Sequence, residues 1–226
     1  MKKFLNIIKK SELFASLTEE EIEVLFNCLK VSVRDYEKGE YIFNSGEKEQ
    51  EIGFVLSGKV YIINEDYWGN RNILFEVGES QIFGEAFSCA QSILPVSVVA
   101  VQKSKIMFIE FRRIIKICSF SASVREVLIN NLLVILSKNN INLTSKIEHM
   151  SKRSTREKLL SYLSEQAKIF KSSEFSISFN RQQLADYLCI DRSAMSNELS
   201  KLKKEGIIDY EKDKFQLFCN ENKKYR

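Results

Sequence analysis

The spacing of apolar residues changes twice along this chain and divides it into three textures. The first residues read as helical: Thr18-Glu19-Glu20-Glu21 has the form of a capping box, with Leu17 and Ile22 placed as its hydrophobic staple. From Val31 to Phe111 the pattern breaks into short alternating runs, Glu40 to Phe43, Gly53 to Leu56, Lys59 to Ile63, Asn72 to Phe75, Val96 to Val101 and Lys105 to Glu110. Glycine turns at Lys38-Gly39, Ser45-Gly46, Ser57-Gly58, Trp68-Gly69-Asn70 and Val77-Gly78-Glu79 separate them. Many short strands joined by such turns predict an antiparallel β-roll or jelly roll, a shape that encloses an apolar interior. A helix over about 123–150 follows. There Ile129, Leu133, Leu136, Asn140, Leu143, Ile147 and Met150 alternate steps of four and three, the a/d seam of a coiled coil with one Asn at an a position. One alternative is that this face packs on the chain's own roll. The polar remainder of the helix (Asn130, Asn131, Lys138, Asn139, Asn142, Lys146) favours a seam between two copies.

The third texture, Ile177 to Ile208, carries the chemistry. Asn180 and Gln183 make a capping box, and Leu184, Ala185 and Leu188 form the inner face of a short helix. Cys189-Ile190 makes the turn, and Asp191 caps a second helix whose Met195, Leu199 and Leu202 form a buried stripe. The opposite face carries Arg192, Ser193, Ser196, Asn197 and Ser200. Short side chains let a backbone approach base edges, while Arg and Asn can pair bidentately with guanine and adenine. Lys201, Lys203 and Lys204 suit phosphates. An alternating run, Phe175 to Phe179, precedes the motif. The segments Gly206 to Tyr210 and Phe215 to Phe218, joined by a polar loop, follow it and predict a wing. The predicted fold is α+β, with domains at 1–120 (sensor roll), 121–150 (dimerisation helix) and 151–226 (winged helix-turn-helix).

Charge sharpens the picture modestly. Residues 151–226 hold 16 Lys+Arg against 11 Asp+Glu, net +5, while residues 1–150 hold 18 against 19, net −1. The basic excess therefore sits in the proposed DNA module, and it is small enough that binding leans on dimerisation. The short apolar run after Met1-Lys2-Lys3 is broken by Asn6, so it does not read as a signal peptide, and no apolar run is long enough for a membrane span. Five cysteines without a CxxC pair suit free thiols in a reducing compartment, and the expected location is cytoplasmic. No nucleophile with a partnered base, metal cluster or phosphate-binding loop is legible, so an enzyme is not expected.

The order of roll, long helix and winged helix resembles the Crp/Fnr family of bacterial transcription regulators over nearly the whole chain. The segments Phe54 to Ile62 (FVLSGKVYI), Gly78-Glu79 and Ile82-Phe83-Gly84-Glu85 match its cyclic-nucleotide-binding-type roll, and the segment Asn180 to Ile208 matches its helix-turn-helix. The resemblance implies a homodimer on palindromic double-stranded DNA, controlled by a small-molecule effector and, for an activator, touching RNA polymerase.

The departures from that pattern are informative. In cyclic-AMP-binding members an Arg-Ser pair grips the phosphate after the glycine-glutamate pair; Pro95-Val96 stands there in this chain. A buried phosphate without a cation is costly, which argues against cyclic AMP. Glu85 then reads as structural. The oxygen-sensing branch clusters cysteines near its N-terminus, whereas Cys28, Cys89, Cys118, Cys189 and Cys219 are scattered, so an iron–sulfur cluster is not expected. The sole histidine, His149, reads as a polar residue near a hinge and gives no support for haem. An effector is expected to touch Phe83, Gly84, Glu85, Pro95, Val96, Asn139 and Asn140. The dimer seam is expected at Ile129, Leu133, Leu136, Asn140, Leu143 and Ile147. DNA contacts are expected from Asn180, Arg181, Arg192, Ser193, Ser196, Asn197 and Lys201. Ser193 replaces the family's acid and Asn197 its arginine, so the expected operator departs from the usual one, with adenine opposite Asn197. The alternative is a small-molecule sensor or interaction module with vestigial DNA binding.

Overall fold

The structure, a computed structural model, describes residues 4–29, 31–69, 71–110 and 122–218. They form two compact units, divided between Ile141 and Asn142. The first opens with α1 (Leu5–Ile8), a single 3-10 turn (Glu12–Phe14) and α2 (Glu19–Cys28). The expected capping box is formed: the Thr18 hydroxyl accepts from the Glu21 N–H at 3.2 Å, and the Glu21 carboxylate accepts from the Thr18 N–H at 2.9 Å.

Two four-stranded antiparallel sheets follow. One orders β1 (Ser32–Tyr36), β8 (Ser104–Glu110), β3 (Glu51–Ser57) and β6 (Ile82–Phe83) side by side. The other orders β2 (Tyr41–Phe43), β7 (Ser97–Ala100), β4 (Val60–Glu65) and β5 (Arg71–Val77). The strands β3 and β8 are buried on both faces, which is why FVL and IMFI read as continuous apolar runs rather than alternating ones. Their Ile52, Phe54, Leu56, Met107 and Ile109 face the N-terminal helices, and Val55, Ile106 and Phe108 face the roll's interior. That interior is filled by side chains. Phe43 meets the Phe83 ring edge-on at 5.4 Å and Phe108 at 5.9 Å, with Leu94, Val98, Val60 and Val77 around them.

The long helix α4 (Ala122–Met150) carries two apolar stripes, not one. Val124, Leu128 and Leu132 are buried against the N-terminal helices and β3, a stripe that the seam spacing concealed. Ile129, Leu133, Leu143 and Ile147 are exposed, whereas Leu136 is half-buried against the chain's own core. From Asn142 onward α4 belongs to the second unit.

The second unit contains α5 (Thr155–Phe170), β9 (Glu174–Ser176), α6 (Arg181–Leu188), α7 (Arg192–Lys204), β10 (Ile208–Glu211) and β11 (Lys214–Leu217), with β11 central in a three-stranded antiparallel sheet. One expectation is corrected: the strand before the motif spans only Glu174–Ser176, although the Ile177 N–H still donates to the Asp213 carbonyl, the next step of the same register, where the paired strand enters the wing turn. Ile177 and Phe179 stay buried nonetheless.

The roll's tight interior gives a stability test. A Cβ on Gly53 would lie 2.1 Å from the Phe83 ring, whereas one on Gly78 would meet nothing closer than 3.8 Å. Gly53→Ala is therefore expected to lower unfolding free energy by about 1–3 kcal/mol through overpacking, with Gly78→Ala costing less. Urea unfolding of both variants checks the difference, and equal costs would contradict a filled interior.

Candidate nucleic-acid interface and effector site

The helix-turn-helix is built by its caps. The Asn180 side-chain oxygen accepts from the Gln183 N–H at 3.0 Å, and the Gln183 side chain accepts from the Asn180 N–H at 2.8 Å, so α6 starts where the sequence places it. It ends at Cys189, whose left-handed backbone (φ 51°) turns the chain toward Asp191. A non-glycine residue there carries about 1–2 kcal/mol of strain. Asp191 caps α7 by accepting from the Ala194 N–H at 2.9 Å and the Ser193 hydroxyl at 2.5 Å, which together hold its carboxyl below the usual range.

On α7, Met195, Leu199 and Leu202 are at most 1% exposed, and Arg192, Ser193, Ser196, Asn197, Ser200, Lys201 and Lys204 face outward. The hydroxyls of Ser196 and Ser200 donate to the carbonyls of Arg192 and Ser196 at 2.9 and 3.0 Å, folding them down onto the helix. Arg192 and Asn197 are left standing above a floor of folded-down serines. Lys201 lies 3.6 Å from Glu198, and the Arg156 guanidinium ties α5 to α7 through Glu198 (3.3 Å) and Glu205 (2.5 Å). Arg181 is half-buried, its guanidinium over the rings of Tyr210 and Phe215 at 4.7 and 5.1 Å.

In the roll, four of the expected effector residues converge. Gly84 takes φ 81° and starts α3 (Glu85–Ala90), and a Cβ there would lie 2.9 Å from the Phe43 ring. Glu85 is 6% exposed, and its carboxylate accepts from the Asn139 side-chain amide at 2.8 Å and from its own backbone N–H. Burial raises its pKa, and these hydrogen bonds oppose the rise. Among the described residues no cation acts on this carboxyl. Phe83 is fully buried beside Gly84, Val96 is buried, and Pro95 and Asn140 are exposed. Burial and Glu85 push the Cys89 thiol up to about 11, which makes it a poor thiolate. Among the described residues no group of His, Cys, Asp and Glu is arranged to hold a metal, and no helix is long and apolar enough to cross a membrane. Cys118 and Cys219 lie outside the described residues.

The sequence reading missed a buried polar cluster where α4 meets the winged helix. His149, read from the sequence as a polar residue near a hinge, is 3% exposed: its Nδ1 is 2.8 Å from the Ser161 hydroxyl and its Nε2 2.7 Å from the Glu165 carboxylate. Lys146 is equally buried, its ammonium 4.5 Å above the Tyr187 ring, and Tyr187 contacts Tyr162 and Phe179. The steps 146, 149 and 150 along one helix face were the available signal, hidden because Lys and His score as polar.

Comparison with known proteins agrees with both units. A family model described as a cyclic nucleotide-binding domain matches residues 33–119, and one described as a Crp-like helix-turn-helix domain matches residues 157–218. The cyclic AMP receptor protein of Thermus thermophilus is 24% identical over 203 residues, 89% of each chain. A structure of a mutant CooA from Carboxydothermus hydrogenoformans superposes with TM-score 0.75 at 18% identity, covering 92% of this chain and 91% of that one. One of the cyclic-di-GMP-responsive global regulator CLP from Xanthomonas campestris gives TM-score 0.70 at 20% identity, covering 88% and 98%.

The buried lysine sets a pH dependence. Burial pushes Lys146 down to about 8 from its ordinary 10.5, with Cys189 acting the other way. Between those values the unfolded chain keeps a proton that the folded chain has lost, so folding stability rises with pH across that window. Below about 8 the folded unit bears the cost of a buried ammonium. Thermal melts at about pH 7 and about pH 9.5 should show wild type gaining stability relative to Lys146→Met. An unchanged difference would mean that the ammonium is already solvated.

Proposed function

We propose, on the premise that the chain belongs to the Crp/Fnr family of bacterial transcription regulators, that it is a homodimer that reads a palindromic duplex and answers to a small-molecule effector other than cyclic AMP. The observation that carries the reading is the outer face of α7. Arg192 and Asn197 stand free of any side-chain hydrogen bond or ion pair within the described chain, over serines that leave room for base edges. Ser193, Ser196 and Lys201 complete the reading face, and Asn180 lies at the N-terminus of α6, where backbone amides meet phosphates. The exposed stripe Ile129, Leu133, Leu143 and Ile147, with Asn140 fixing register and the half-buried Leu136 at its edge, is the proposed dimer seam. Two heads then meet half-sites one helical turn apart.

The effector reading rests on the roll. Pro95 and Val96 offer no cation, Glu85 is buried beside Asn139, and aromatic rings fill the interior. A phosphate would sit unpaired next to a buried carboxyl, so an effector that engages Phe83, Gly84, Glu85 and Asn139 is uncharged or a hydrogen-bond donor.

Asn197 is assigned to an adenine. Competition binding with duplexes altered one base pair at a time should show Asn197→Ala losing about 1–3 kcal/mol of discrimination at one position per half-site and no other. A uniform loss across all positions would make Asn197 a backbone contact instead. An invariant guanine at that position, untouched by the substitution, would refute the assignment.

A further inference from the structure

Arg181 begins α6 at the edge of the proposed DNA face, where a phosphate contact is the simple expectation, yet its surroundings assign it elsewhere. Its guanidinium lies over Tyr210 at 4.7 Å and Phe215 at 5.1 Å. Those two residues are directly paired across the β10–β11 ladder, so one planar cation spans both strands of the wing, one pair short of its turn. Phe215 is nearly fully buried and stacks on Phe175 of β9 at 6.3 Å, so the platform under the guanidinium is continuous with the sheet. Asp213, in the wing's turn, attracts the same guanidinium. Lys203 at the end of α7 also approaches the Tyr210 ring, at 5.3 Å, pairs with the Asp209 carboxylate and donates to the Tyr210 carbonyl at 3.4 Å. Tyr210 is thus held by cations from both helices of the motif.

We propose that Arg181 is a positioning residue: stacked on Tyr210 and Phe215, it fixes the wing hairpin against α6, so that Lys212 and Lys214 at the wing tip reach the backbone phosphates of the duplex that α7 reads. The proposal rests on the DNA-binding reading and deepens it. Lys212 and Lys214 are exposed, and Lys212 takes a left-handed conformation (φ 52°) in the turn that closes the hairpin. An arginine suits this role better than a lysine because its flat, weakly hydrated guanidinium can lie on two rings at once.

The test compares Arg181→Met, Arg181→Lys, Tyr210→Leu and Lys212→Ala, singly and with Lys212→Ala combined, in full-length protein on a duplex that wild type binds, across a salt series. Positioning predicts that Tyr210→Leu weakens binding about as much as Arg181→Met, each about tenfold, although Arg181 is intact in the first. Arg181→Lys keeps the charge but does not rescue. Adding Lys212→Ala to either costs nothing further, and both flatten the salt slope by more than the loss of about one that Lys212→Ala gives alone, because Lys214 is displaced with Lys212. If Arg181 grips a phosphate itself, Tyr210→Leu leaves affinity unchanged, Arg181→Lys rescues and Lys212→Ala adds in full; any of these overturns the proposal. Thermal melts confirm folding, and Tyr210→Ile, which suits a strand, replaces Tyr210→Leu if the latter unfolds. Should wild type bind no duplex at all, the DNA-binding reading fails and takes this one with it. Wild-type binding with additive variants sinks the positioning role alone.

Discussion

Burial of Met195, Leu199 and Leu202 is the constraint on which the reading face depends. Each side chain gains about 1.5–3 kcal/mol on leaving water, and their spacing lets them do so together on only one side of α7. Helix α7 packs against α5 and α6, and Leu159, Leu163, Leu184 and Leu188 are likewise fully buried. With that stripe fixed inward, Arg192, Ser193, Ser196 and Asn197 have no alternative but to face out. The capping hydrogen bonds of Asn180 and Asp191 then fix where each helix starts, and so which residues occupy the exposed turn.

The roll is organised by a different constraint. Where a charged ligand would need a cation and an open interior, this chain places Phe43, Phe83 and Phe108 in contact, with Gly53 leaving room for the Phe83 ring. Glu85 keeps the start of α3 in place and reaches Asn139 on α4 at 2.8 Å. That single hydrogen bond joins the region expected to meet an effector to the helix that carries the exposed seam.

Elements with a single local cause were legible in the sequence. The capping boxes at Thr18 and Asn180, the cap at Asp191 and the stripe on α7 depend on residues three or four apart, and they stand where the pattern put them. The strands β3, β4 and β5 were found to within two residues at each end, because turn glycines lie beside them. What was hidden depends on contacts distant in sequence. The stripe Val124, Leu128 and Leu132 shares its helix with the more regular seam, so one periodicity masked the other. Lys146 and His149 are buried because Tyr187, Ser161 and Glu165 are brought to them, and the helix face they share is masked because both score as polar. Arg181 read as a surface cation for the same reason: its partners Tyr210 and Phe215 lie about thirty residues on.

The central claim is that α7 reads base sequence as part of a two-fold assembly. The most direct measurement is selection of bound duplexes from a random pool by purified protein at two salt concentrations, with Arg192→Ala in parallel. The account predicts a palindromic consensus whose half-sites lie one helical turn apart, retained at the higher salt and lost in the variant. Binding that enriches no sequence and vanishes as salt rises, equally for wild type and Arg192→Ala, would contradict it.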